Sequence, residues 1–323
     1  MKAARSRTGR PNMAVTVAGI RMQNPVMTAS GTFGYAQEFE PFLDLSRLGA
    51  IVVKTITRTP RAGNPPPRIA ETPAGMLNAI GLQNVGVHAF IGEKLPYLRT
   101  LGPPIIVNIA GESIDDYVEL AKRLSDQEGV SGIELNISCP NVADGLIFGC
   151  NAVLANKLVA CVRRATSLPL IPKLSPNVTD VAEIAQALAD GGADALSLIN
   201  TLIGMAVDVR SRRPKLRNVT GGLSGPAIRP VAVRMVWEVA KTVKLPLIGM
   251  GGIMTADDAL EFLIAGATAV AVGTANFTSP SSAERIIDGI KAHLVAHNVR
   301  RMTDLIGSLD LTGTVCEIPE WSR

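Results

Sequence analysis

The chain has 323 residues, 47% hydrophobic and 19% charged, with 30 Gly and 21 Pro, which is typical of a globular enzyme rather than a disordered or fibrous protein. The net charge of +4 comes from four basic residues within positions 1–10, because the rest of the chain carries 28 basic and 28 acidic residues, and this distribution argues against nucleic-acid binding. No apolar run suits a membrane helix or a signal peptide, so we expect a cytoplasmic protein that contacts no membrane.

Eight short apolar segments recur along the chain and predict buried strands. In chain order they are residues 25–30, 50–55, 104–110, 132–138, 170–175, 195–201, 246–251 and 269–274. Amphipathic stretches follow them and predict helices at 114–126, 152–166, 179–190, 227–243 and 255–265. Ser113, Thr179 and Thr255 are the predicted helix N-caps.

This alternation of strands and helices predicts an α/β fold, namely a (β/α)8 TIM barrel in a single domain. A doubly wound open sheet is the alternative. We expect residues 1–12 to be a disordered basic extension and residues 13–323 to form the barrel. The four cysteines include no C-x-x-C pair and only three histidines are present, so no metal site is predicted.

Polar residues stand at the carboxyl ends of six of the eight predicted strands. They are Ser30, Lys54 with Thr55, Asn108, Asn136 with Ser138 and Cys139, Lys173, and Asn200 with Thr201. In a barrel these ends converge on the face where active sites are built. A cap for each strand is the simpler explanation, but six strands together favour a site.

Two long loops are predicted on the same face, at residues 56–77 and 202–224. Both are rich in arginine, and long loops in a compact barrel are commonly lids or binding loops. Their positive charge would attract an anionic ligand or an acidic partner surface, although arginines that are merely solvated are the alternative.

Glycines after the last two strands predict a phosphate site. Gly249–Ile253 follows the seventh strand, Val272–Thr274 follows the eighth, and Ser224–Pro226 precedes a predicted helix. Backbone N–H groups freed by glycine hold phosphates at this position in many barrels, although tight turns are the alternative. Lys173 suggests that the phosphate belongs to a flavin, because an ammonium group stabilises an anionic reduced flavin ring.

Ten segments in uninterrupted order resemble the dihydroorotate dehydrogenases over about residues 14–310. They are NPVMTASGTFG (24–34), VVKTIT (52–57), NAIGLQN (78–84), VNIAG (107–111), ELNISCPN (134–141), PKLSPN (172–177), SLINT (197–201), GGLSGPAIRP (221–230), GMGGI (249–253) and VGTA (272–275). The resemblance is strongest to the soluble subclass that uses NAD. It implies oxidation of dihydroorotate to orotate in pyrimidine biosynthesis, with FMN as the hydride acceptor.

The resemblance also implies roles for individual residues. Cys139 would be the general base that removes the C5 proton, and a thiol suits this role because its pKa is readily tuned toward neutrality. The implied substrate-binding residues are Lys54, Asn78, Ala79, Ile80, Gly81, Leu82, Asn136, Asn141, Asn200 and Thr201. The implied FMN-binding residues are Ser30, Lys54, Thr55, Asn108, Asn136, Lys173, Ile199, Gly225, Gly251, Gly252, Gly273 and Thr274.

In that subclass the catalytic subunit forms a homodimer and pairs with an electron-transfer subunit that carries FAD and an iron–sulfur cluster, giving a heterotetramer. The alternative electron acceptor is fumarate, which a homodimeric subclass uses without a partner subunit. The loop after Cys139 departs from the subclass at Leu146, where a paired glycine is expected.

Three rival functions remain open at this point. One is a dihydropyrimidine dehydrogenase-like FMN barrel that acts on uracil or thymine, against which Lys54 argues because a neutral pyrimidine has no carboxylate. The others are a flavin-free phosphate-binding aldolase or isomerase, and a barrel that only binds its ligand.

Overall fold

The computed structural model describes residues 10–138 and 148–314. Eight parallel strands form one sheet, and their bounds are β3 Val26–Thr28, β4 Ile51–Val52, β7 Ile105–Ile109, β8 Val130–Asn136, β9 Leu170–Lys173, β10 Leu196–Leu198, β15 Leu247–Met250 and β16 Ala269–Val272. They are paired in the order β3, β16, β15, β10, β9, β8, β7, β4. A parallel bridge between Met27 and Ala50 joins the two end strands. The predicted (β/α)8 barrel is therefore confirmed.

The barrel interior and the layer between strands and helices are aliphatic. All residues of β7, β9, β15 and β16 are buried, as expected for strands covered by helices on one side and packed inward on the other. These strands are shorter than predicted at their carboxyl ends. Asn108 and Lys173 remain within β7 and β9, whereas the residues beyond the strand ends, such as Ser175 and Gly273, turn into loops.

Helices alternate with the strands around the barrel. They are α1 Gly86–Ala89, α2 Leu95–Leu98, α3 Ile114–Ser125, α4 Ala152–Arg163, α5 Val181–Asp190, α6 Arg229–Thr242, α7 Ala256–Ala265, α8 Ala275–Thr278 and α9 Ser282–Ala296. A π-helical stretch, Phe90–Lys94, joins α1 to α2. Between β3 and β4 the predicted alternation fails, because only two 3-10 turns lie there, Gln37–Phe39 and Leu45–Arg47.

Two of the three predicted N-caps are confirmed. Ser113 and Thr255 each form a capping box with an aspartate three residues later, which satisfies N–H groups that have no helical partner. The prediction of Thr179 was wrong by one residue. Asp180 caps α5 instead, and its carboxylate accepts from the N–H groups of Ala182 and Glu183.

Both long predicted loops contain β-strands. The first contains β5 Ile69–Thr72 and β6 Gly75–Asn78, and the second contains β11 Leu202–Met205, β12 Val207–Asp208, β13 Arg213–Pro214 and β14 Thr220–Ser224. Strands from both loops form one antiparallel sheet in the order β11, β14, β6, β5. The sheet was not predicted from the sequence, because its strands are only four or five residues long and several contain glycine.

Two strands precede the barrel, β1 Val15–Val17 and β2 Ile20–Met22, and pair as an antiparallel hairpin. Asn12, the last residue of the predicted extension, forms a parallel bridge with Arg301. Residues 1–9 lie outside the described residues, so the predicted disorder of the extension stays a prediction.

Candidate active site

A cavity of about 1030 Å³ opens at the carboxyl ends of the barrel strands. The predicted site residues on its wall are Ser30, Lys54, Thr55, Asn78, Ala79, Ile80, Gly81, Leu82, Asn136, Lys173, Ile199, Asn200, Thr201, Gly225, Gly251, Gly252, Gly273 and Thr274. Asn108 does not line the cavity and is fully buried in the barrel. Cys139, Asn141 and Leu146 lie outside the described residues. One cavity thus gathers groups predicted for two ligands.

A pair of amide side chains stands on one side of this cavity. The Asn200 Nδ2 donates to the Asn136 Oδ1 at 3.2 Å, and the Asn200 Oδ1 accepts from the Thr201 N–H at 2.9 Å. The Tyr117 hydroxyl donates to the Asn136 carbonyl at 2.6 Å and so fixes the end of β8. Each amide has donors and acceptors to spare, which suits a ligand that carries both ring N–H groups and carbonyls.

Asn78 reaches the cavity from the antiparallel sheet. It is the last residue of β6, and its Nδ2 donates to the Gly222 carbonyl of β14 at 3.3 Å. The next turn holds Gly81 and Leu82 at φ of 76° and 55°, a left-handed conformation that is rare for leucine. This turn places the backbone of 79–82 along the cavity wall.

Lys54 is a half-buried cation in this wall, and among the described residues it forms no ion pair with a carboxylate. Burial and, to a lesser extent, the charge of Arg68 hold the pKa of Lys54 below its ordinary value. Arg68 itself is anchored, with its guanidinium donating to the Asn64 carbonyl and to Gln83. The charges of Lys54 and Arg68 act on each other, and among the described residues neither has a carboxylate at ion-pair distance. The two cations therefore form a binding position for an anionic group.

Lys173 is a buried cation at the end of β9. Its Nζ donates to the Ser30 hydroxyl at 3.4 Å, and within residues 10–138 and 148–314 it has no carboxylate at ion-pair distance. Buried lysines are rare unless they are paired. The arrangement therefore calls for a polar or anionic ligand atom beside Ser30 and Lys173.

Glycines form a cradle in another part of the cavity wall. Gly225, Gly251 and Gly252 all have positive φ, at 97°, 124° and 78°. A Cβ on Gly225 would lie 2.6 Å from the Gly75 Cα, and one on Gly252 would lie 2.8 Å from the Gly225 carbonyl oxygen. Thr274 donates to the Ser224 hydroxyl at 2.8 Å on the same wall. The cradle exposes backbone N–H groups and hydroxyls, which are the donors that phosphate prefers.

Several wall residues were not among the predicted site residues. Asn177 fixes the loop after β10, because its amide contacts the Thr201 carbonyl and the Ile203 N–H, both at 3.0 Å. Arg68 was noted only as part of a basic loop. Glu134, which is buried and does not line the cavity, was missed too, although an acid within a largely apolar strand is itself a signal, because an acid is seldom fully buried without partners.

No helix within the described ranges is both long and apolar enough to cross a bilayer. The same part of the chain contains no cluster of three or more His, Cys, Asp or Glu residues suited to a metal ion.

The family model for dihydroorotate dehydrogenase matches residues 12–294. Among curated proteins, the chain is 61% identical to the "dihydroorotate dehydrogenase B (NAD(+)), catalytic subunit" of Geobacter sp. (strain M21), over 94% of this chain and 99% of that protein. It is similarly 61% identical to the protein of that name from Citrifermentans bemidjiense, with the same coverage. Identity to the Geobacter sulfurreducens counterpart is 55% over 94% of this chain and 99% of that protein.

Proposed function

This chain belongs to the dihydroorotate dehydrogenase family, and from that membership we propose that it oxidises dihydroorotate to orotate in pyrimidine biosynthesis. The observation that carries the proposal is that two cations, Lys54 and Arg68, line the same cavity as three amide side chains. The amides are those of Asn78, Asn136 and Asn200. The carboxylate of dihydroorotate can pair with the two cations, and the N–H and carbonyl groups of its cyclic ureide can hydrogen-bond to the amides. A neutral pyrimidine such as uracil would leave the two cations without a partner.

FMN is the proposed cofactor, and the residues present fit it. Among the described residues, Lys173 is a buried cation with no carboxylate at ion-pair distance and the Asn108 Oδ1 has no hydrogen-bond partner, and the glycine cradle lines part of the cavity with backbone that carries no side chain. Lys173 and Asn108 suit the ring, while the cradle and Thr274 suit the phosphate. When bound, FMN supplies the hydride acceptor.

The chain's own residues bind the substrate and remove a proton. Lys54 holds the carboxylate, while Asn78, Asn136 and Asn200 orient the ring through its N–H and carbonyl groups. Cys139, which follows Ser138 at the end of the β8 segment, takes the C5 proton as a thiolate. Its neighbour Ser138 lies on the cavity wall and donates to the Lys173 carbonyl at 3.5 Å, which supports this assignment.

We propose that electrons leave through a partner to NAD, since the relatives are named as NAD(+)-linked catalytic subunits. The partner would carry FAD and an iron–sulfur cluster and form a heterotetramer with a homodimer of this chain. Mixing the chain with such a subunit should yield dihydroorotate-dependent NADH. Fumarate reduction by the chain alone would contradict this acceptor.

The test of the function is optical and chemical. Purified protein should show a flavin spectrum that dihydroorotate bleaches under anaerobic conditions, with orotate formed in equal amount. Protein that stays colourless after incubation with FMN would exclude the cofactor and favour an aldolase or isomerase. Protein that reacts with uracil and ignores dihydroorotate would exclude the substrate. Protein that binds FMN and dihydroorotate but forms no orotate would be a binding barrel only.

Two glycine substitutions should separate cofactor binding from folding. Gly273→Ala should leave the melting temperature of the apoprotein nearly unchanged, because its Cβ would meet Ala29 at 3.5 Å and Thr32 at 3.9 Å, which are ordinary contacts. It should weaken FMN binding by about tenfold, because the backbone of Gly273 lines the cavity. Gly225→Ala should instead destabilise the apoprotein by about 1–3 kcal/mol, because its φ of 97° is strained for alanine. Calorimetry and fluorescence titration with FMN measure both. Equal stability losses in the two variants would contradict this assignment.

A further inference from the structure

A buried acid, Glu134, lies inside the barrel beneath the cavity. It precedes Asn136 by two residues on β8, so the two side chains share the inward face of the strand. Asn136 lines the cavity, whereas Glu134 is 1% exposed. Within the described residues, no Lys, Arg or His lies at ion-pair distance from it.

Both oxygens of Glu134 accept hydrogen bonds from other barrel strands. The Ser197 hydroxyl of β10 donates to Oε1 at 2.8 Å, and the Asn108 Nδ2 of β7 donates to Oε2. Asn108 is also the register partner of Glu134 in the β7–β8 ladder. A carboxyl group without a neighbouring cation is costly to bury in a barrel core unless its oxygens are hydrogen-bonded, so its presence calls for a role.

The unusual member of this trio is Asn108. Its side chain is fully buried and its Nδ2 is taken by Glu134, while its Oδ1 has no hydrogen-bond partner among the described residues. Buried acceptors are rarely left unsatisfied in folded proteins. The neighbouring residues on the same face of the barrel, Thr55 and Asn136, line the cavity.

We propose that Glu134 is a positioning residue that fixes the orientation of the Asn108 amide, so that Asn108 presents an acceptor, and not a donor, to FMN. This inference rests on the proposed cofactor. The physical reason is that a carboxylate offers acceptors only, so the Asn108 NH₂ group must face it and the carbonyl must face away. Without this constraint an amide can rotate by 180° and exchange its donor and acceptor.

The decisive variant is Glu134→Gln, which keeps the shape of the side chain but gives it both a donor and an acceptor. Asn108 can then turn over and direct its NH₂ toward an N–H of the ligand. We expect the dissociation constant of FMN for the apoprotein, measured by quenching of FMN fluorescence, to rise by about tenfold or more. The melting temperature of the apoprotein should change little.

A double variant, Glu134→Gln with Asn108→Asp, tests orientation against mere packing. The amide introduced on β8 can donate to one oxygen of the carboxylate introduced on β7, while the other oxygen of that carboxylate remains an acceptor for the ligand. The charge of the pair is conserved and moves from β8 to β7. We expect the double variant to recover most of the FMN affinity that Glu134→Gln loses, while Asn108→Asp alone places two carboxyl groups together and binds FMN poorly.

Ser197→Ala is the matched control, because it removes the other hydrogen bond of Glu134 and leaves Asn108 held. It should lower the melting temperature while keeping FMN affinity within about twofold of the wild type. The inference is overturned if Glu134→Gln binds FMN like the wild type, if Ser197→Ala loses as much affinity, or if the double variant fails to recover it. Wild-type apoprotein that binds no FMN would instead overturn the proposed cofactor.

Discussion

Lys54→Ala should raise the KM for dihydroorotate by about a hundredfold, whereas the protein should still be purified with FMN. Removing one partner of a desolvated charge pair costs about 2–5 kcal/mol, and this loss falls on the substrate because Lys54 has no carboxylate partner among the residues described. Steady-state kinetics and the flavin absorbance of the purified variant measure the two effects. Lys122→Ala, an exposed position on α3, is the control and should behave as wild type.

The same lysine predicts a pH dependence. Burial first, and Arg68 second, hold the pKa of Lys54 below the ordinary lysine value in the free protein. The ammonium is present below that lowered pKa and is lost as the pH rises through it. The kcat/KM for the anionic substrate should therefore fall at alkaline pH, earlier than an ordinary lysine would cause. Arg68→Gln should move this fall to higher pH, and Lys54→Ala should abolish it. A profile that Arg68→Gln leaves unchanged would contradict the coupling.

Cys139→Ala should lower turnover at neutral pH by about 10²–10⁴-fold, because a general base contributes that much, and FMN should remain bound. The reductive half-reaction isolates the effect, so anaerobic bleaching of the flavin by dihydroorotate should slow by the same factor.

Cys150→Ala is a matched control for this variant. Cys150 lines the same cavity and donates to the Asn177 carbonyl at 3.5 Å, but desolvation raises the pKa of its thiol, which disfavours the thiolate that a general base requires. It should retain nearly full activity. Equal losses of activity in the two variants, or full activity of Cys139→Ala, would contradict the assignment of Cys139 as the general base.

The sequence predicted the parts of this protein that depend on local pattern. Apolar runs located all eight strands, and several of the polar residues after them, such as Ser30, Lys54 and Lys173, lie on the cavity wall. Parallel strands must direct their carboxyl ends the same way, so a barrel brings such residues together without further information.

The remainder depends on contacts between distant segments. The sheet that joins β6 to β14 was missed because its pairing links residues about 144 positions apart, as in the hydrogen bond from Asn78 to Gly222. The partners of Glu134 lie on β7 and β10, which no local pattern connects. The shift of the α5 cap from Thr179 to Asp180 is a local error between two adjacent residues that are both good caps.

The antiparallel sheet also limits how the active site can vary. Backbone ladders tie β6, which ends at Asn78, to β14, and β14 to β11, which begins just after Thr201. The excursions that follow the second and sixth barrel strands are thereby joined into one unit. A lengthening or shortening of one excursion shifts the register of the other, so a change of substrate range by loop grafting requires that both be exchanged as a matched pair.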